Sequence, residues 1–121
     1  MARIVTVGLD QTLANQLGRA LAPGQHEISH KQQKGVMSGD LTEADMIFAS
    51  GESRQYLPIL RMVREIHPTL PFVVVTRVPE TSDWLDALEA GATDYCSSPF
   101  DARHMSWLME SAFPEHRVAA A

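Results

Sequence analysis

Side chains able to do chemistry stand directly after the most apolar runs of this chain. Asp10 follows "RIVTVGL", Ser50 and Glu52 follow "MIFA", Thr76 and Arg77 follow "FVVV", and Ser98 precedes Pro99 and Phe100. Carboxylates in such places hold divalent cations, hydroxyls bond phosphoryl oxygens, and a guanidinium neutralises transferring charge. A serine needs a base or a metal beside it to become a nucleophile, and none accompanies Ser50. The histidines at 26, 30, 67, 104 and 116 show no ligand-like spacing on one helix face, so no metal is expected. Cys96 lies mid-strand and reads as a small buried hydrophobe. "GLDQTLANQLG" has neither dinucleotide-binding nor P-loop spacing.

Alternating strands and helices must position these groups. Residues 3–7, 46–49 and 71–76 are β-rich and apolar, as strands buried on both faces are. Residues 26–30 are polar and read as an edge strand, and residues 93–97 form a short fifth strand. Asp10 caps a helix with Leu13, Leu17 and Leu21 on one face, and Asp101 caps the last helix. Between them, one helix carries Leu57, Leu60, Val63 and Ile66, and another carries Trp84, Leu85 and Leu88 and stops at Gly91. The segment 31–44 allows only a short or irregular helix. Five strands in such alternation imply an α/β fold: a doubly wound, five-stranded parallel sheet in a three-layer, flavodoxin-like sandwich. Strand order 2-1-3-4-5 places the polar second strand at an edge. Sites in such sheets lie beyond the carboxyl ends of the strands.

The chain has 121 residues and suits one domain, residues 1–115, with residues 116–121 as a tail or linker stump. Net charge is −5, and no Lys/Arg stripe tracks phosphates, which argues against nucleic acid as partner. Arg61 and Arg64, beside Glu65, read as a solvated face. No apolar run is long enough to cross a bilayer. A single cysteine makes no internal disulfide, so a cytoplasmic location is expected.

The stretch "LPFVVVTRVPETSDWLDALEAGATDYCSSPF", residues 70–100, resembles the receiver domain of bacterial two-component response regulators. "VVVT" is similar to the fourth strand with its signalling threonine, "ALEAGATDY" to the helix, turn and fifth strand with its switch aromatic, and "SPF" to Lys-Pro-Phe with the lysine replaced. The resemblance spans essentially the whole chain and implies phosphoryl transfer to an aspartate ending the third strand, Mg²⁺ held by an acidic pair, and a lysine as second cation. Carried onto this chain, the acidic pair falls on Gly8 and Leu9, the phospho-acceptor on Ser50 and the lysine on Ser98. Only Thr76 keeps its type, and Tyr95 matches the switch aromatic. Three parts of one mechanism are absent together.

The expectation is therefore a degenerate receiver: a phosphorylation-independent interaction module of a signalling system, not an enzyme and without a cofactor. The alternatives are an active receiver with an unconventional site and a flavodoxin-like small-ligand binder. Arg77 is placed to lean over the pocket and pair with Asp10 or Glu52. The resemblance also implies a cis Ser98–Pro99 bond. On the last helix, Met105, Met109 and Ala112 form an inward stripe, which leaves Trp107 and Leu108 toward the flank. With Trp84, Arg103 and the acids Glu80, Asp83, Asp86 and Glu89, they mark an interface for a protein partner or a second copy on the surface of helix four, strand five and helix five.

Overall fold

The computed structural model describes residues 2–21, 26–32, 38–41, 43–50, 53–77 and 81–112. Ten elements alternate: β1 (Ala2–Val7), α1 (Gln11–Leu21), β2 (His26–Lys31), α2 (Ser38–Leu41), β3 (Met46–Ser50), α3 (Ser53–Ile66), β4 (Phe72–Thr76), α4 (Thr81–Glu89), β5 (Asp94–Ser97) and α5 (Ala102–Ala112). All strands pair parallel in the order β2-β1-β3-β4-β5, as expected from the alternation and from the polar character of β2. Glu52, Glu80 and the expected tail lie outside the described residues.

β3 and β4 are central and apolar on both faces, so each contributes to two cores. Ile47, Ala49, Phe72 and Val74 pack with Tyr56, Ile59, Leu60 and Val63 of α3, Leu41 of α2 and Ala87 of α4. Met46, Phe48, Val73 and Val75 point the other way, onto Leu17 and Leu21 of α1 and Met105 and Leu108 of α5. This is the period-two alternation of a sheet covered on both sides.

Helix ends follow local chemistry. The Asp10 carboxylate accepts the Leu13 N–H at 2.9 Å, and Asp101 accepts from Arg103 and His104 at 2.7 and 3.2 Å, so both expected caps are present. α4 ends in a Schellman pair, Gly91 N–H to Leu88 C=O at 3.1 Å and Ala92 N–H to Ala87 C=O at 3.0 Å. Gly91 has φ of 108°, a conformation an L side chain resists. Ala87 and Ala92 close the motif by packing into the same core.

Three side chains differ from the sequence reading. Arg64 is not part of a solvated face: its Nε donates to Gly91 C=O at 3.0 Å and its Nη1 to Leu70 and His67 C=O at 2.7 and 3.3 Å. The reach of a long guanidinium lets it gather the end of α3, the α3–β4 connection and the α4–β5 turn, and its burial lowers its pKa. Ile66 is 47% exposed because α3 buries Tyr56 and Ile59 instead, on a face rotated from the expected one. Leu108 is 2% exposed, whereas Trp107 is 59% exposed. The inward stripe of α5 includes Leu108 one turn after Met105, with Met109 and Ala112 packed at its margin, and the roughly 100° turn per residue carries Trp107 outward.

Arg64→Met should lower unfolding free energy by about 2–3 kcal/mol, because charge-assisted bonds to carbonyls are lost while the apolar stem is kept. Urea unfolding monitored by circular dichroism measures it. A change below about 0.5 kcal/mol would mean the clamp is dispensable.

Candidate functional site

The parallel register brings four strand ends to one edge. Val7 of β1 lies beside Ala49, Ser50 beside Val75, and Thr76 beside Ser97. Gly8 follows β1 with φ of 73° and donates its N–H to Lys31 C=O at 3.0 Å. Leu9 turns inward and packs against the α1/α5 core. Ser50 and Thr76 are the last residues of their strands and are half-buried. Ser98 donates its N–H to Thr76 C=O at 2.9 Å, and the Ser98–Pro99 bond is cis, as the resemblance implies.

Across this edge, Arg77 pairs directly with Asp10. Asp10 thus has two tasks. Its Oδ1 caps α1 through the Leu13 N–H, and its Oδ2 meets the Arg77 guanidinium. Its pKa lies below the ordinary value of 3.8, first because of the Leu13 N–H and then because of Arg77. Both side chains are about half exposed, so the pair orders the pocket more than it stabilises the fold. Chemically, the one described carboxylate at the mouth of the site is engaged by an internal cation. The aliphatic Leu9 and the hydroxyl of Ser50 offer a hard divalent ion little in exchange.

The other expected residues are distributed around this edge. Tyr95 is partly buried against the core beneath α3 and α4. Tyr56 is buried in that core, and its pKa is raised, first by burial and then by Asp83, Tyr95 and Asp86. Trp84 and Leu85 are 42% and 47% exposed on α4, and Trp107 and Arg103 are exposed on α5. The sequence reading missed His104, whose Nε2 lies 2.8 Å from Asp94 Oδ2 and 4.0 Å from Cys96 Sγ. The spacing within one helix could not reveal it, because its companions lie on a strand.

The five-stranded parallel order 2-1-3-4-5 with helices on both faces is a receiver-like, flavodoxin-like α/β fold. The "DNA-binding transcriptional regulator NtrC" of Proteus hauseri is 28% identical over 88 residues, which is 73% of this chain. The chain spans 17% of that regulator's length. A response regulator receiver domain protein from Clostridium thermocellum superposes with a TM-score of 0.78 at 16% identity, covering 98% of this chain and 99% of its own. A Burkholderia pseudomallei protein, provisionally described as pilus assembly-related, gives 0.73 at 20% identity, covering 93% and 89%. No family model matches the chain. Among the described residues no helix is long and apolar enough to cross a membrane.

In Arg77→Ala, the Asp10 pKa should rise but stay below 3.8, since the larger cause, the Leu13 N–H, remains. A lowered folded-state pKa contributes stability that is present above the unfolded value, near 3.9, and is lost as pH falls through the folded value. The variant should therefore show a smaller loss of stability on acidification below about pH 4. Carboxyl-detected NMR titration follows Asp10, and an unchanged value in the variant would contradict the pairing.

Proposed function

We propose that this chain is a phosphorylation-independent receiver module that transmits signals in a bacterial two-component system through protein contacts. One observation carries the reading: Arg77 engages Asp10 at the strand-end edge where the resemblance puts metal and phosphoryl group. The types of Gly8, Leu9, Ser50 and Ser98 support it, since each stands where the resemblance calls for an acid, an acceptor carboxylate or a lysine. Phosphoryl transfer relies on positioning and charge neutralisation, so loss of several groups is not compensated by a retained Thr76. The module is cytoplasmic in this reading, and the similarity to part of NtrC supports a place within a larger regulator.

Incubation with Mg²⁺ and radiolabelled acetyl phosphate should leave the chain unlabelled, and beryllofluoride should not shift its melting temperature. Stoichiometric label would establish the competing reading of an active receiver with an unconventional site.

The contact surface in this proposal is formed by α4, β5 and α5. Trp107, Trp84 and Leu85 are exposed there, with Arg103, Asp83 and Asp86 nearby in sequence. Aromatic anchors with charges at the rim suit association with a second copy. Trp107→Ala should shift sedimentation equilibrium toward monomer while changing stability by less than about 0.5 kcal/mol, as expected for an exposed side chain. Self-association that survives in Trp107→Ala and Trp84→Ala alike would place the interface elsewhere.

A further inference from the structure

Three different metal-ligating side chains converge between β5 and α5. Asp94 and Cys96 are two residues apart on β5 and therefore share a face. His104 stands in the first turn of α5, where the Asp101 cap holds its backbone N–H at 3.2 Å. Asp94 Oδ1 accepts its neighbour Tyr95 N–H at 2.7 Å, which leaves Oδ2 directed at His104 Nε2, 2.8 Å away. Cys96 Sγ approaches the same nitrogen at 4.0 Å, and all three donor atoms lie within 4.8 Å of one another.

The geometry decides between two chemistries. A catalytic Cys-His-Asp arrangement needs thiol and carboxylate on opposite imidazole nitrogens, so that one proton is taken while the other is held. Here both address Nε2. The thiol is also 3% exposed, out of reach of a substrate. A nucleophile is excluded on both counts. Convergence on one point is instead what a bound cation requires. Tetrahedral Zn²⁺ has bonds of about 2.3 Å to sulfur and about 2.0–2.1 Å to nitrogen and oxygen, which puts donor atoms roughly 3.3–3.6 Å apart. The three atoms reach that spacing by sub-ångström to ~1 Å shifts of side chains.

We propose that Asp94, Cys96 and His104 form a three-ligand site for a borderline-soft divalent cation of the Zn²⁺ class, with water in the fourth position. A thiolate, a carboxylate and a neutral imidazole balance the charge of a divalent ion, which favours a partly buried site. The His104 side chain is 39% exposed and the Asp94 side chain 19%, so solvent reaches the fourth position. Binding displaces the thiol proton to solvent and ties β5 to α5 beside the exposed Trp107, whose ring centroid lies 6.2 Å from that of His104.

Titration of the full chain with Co²⁺ under reducing conditions is the test. One equivalent should generate a near-ultraviolet sulfur-to-cobalt charge-transfer band and tetrahedral visible bands, both bleached by Zn²⁺. Cys96→Ser should abolish the charge-transfer band. Asp94→Asn and His104→Gln should each weaken Zn²⁺ affinity at least tenfold in competition with a chelating dye. His104→Gln, at a partly exposed helix position, keeps the test valid if Cys96→Ser fails to fold. No charge-transfer band in the wild-type chain, or His104→Gln binding as tightly as wild type, would overturn the site.

Discussion

Parallel pairing of strands that are apolar on both faces is the constraint on which the rest of this molecule depends. Such strands require a crossover after each strand, and the crossovers supply the layers that cover both faces. β3 and β4 are the clearest case: residues 46–49 and 72–75 are all buried, with alternate residues committed to opposite cores. A one-residue slip would exchange those two sets. Register is thereby held, and with it the alignment of Ser50, Thr76 and Ser97 at one edge. The alignment of these strand ends is a consequence of packing, independent of which side chains they carry.

What occupies that edge is an ion pair between residues 67 positions apart. Asp10 is positioned by capping α1, its Oδ1 accepting the Leu13 N–H at 2.9 Å, while its Oδ2 meets Arg77. Arg77 therefore meets an anion already positioned, and less ordering entropy opposes the contact than for two free side chains. The same pairing makes the loops after β1 and β4 mutually dependent. An internal charge pair thus links the two loops directly.

Local patterns revealed the strands, their order and both aspartate caps, because each depends on residues close in sequence. Asp101 is read from its place before an apolar helix, and β2 is assigned to an edge because "HEISH" has too few apolar residues to be covered twice. The sheet order brings the loop after β4 near those after β1 and β3, which left Asp10 and Glu52 as candidate partners for Arg77; the structure pairs it with Asp10. The errors have one physical origin. Arg64 joins the α4–β5 turn 27 residues away through a side chain whose reach no local pattern encodes. Leu108 and Trp107 are equally apolar in a linear reading, and only the packing of α5 decides which faces in. His104 lay hidden for the same reason: its partners are on a strand, eight and ten residues earlier.

The two charged constellations join different elements, and this has a mechanical meaning. Asp10 and Arg77 join loops at the carboxyl edge. Asp94 and His104 join β5 to α5 at the side, where α5 also contributes Met105 and Leu108 to the core. Among the described residues β5 pairs only with β4, so its position depends on one ladder and on the helices packed against it. Thr93 reinforces its start, accepting the Phe72 N–H on its hydroxyl at 3.0 Å and donating its own N–H to Phe72 C=O at 2.7 Å. Beyond that anchor, His104 links α5 to β5 through Asp94 at 2.8 Å and Cys96 at 4.0 Å. Trp107 is exposed beside this edge strand and its helix, so a change in the contacts between them alters the surface there.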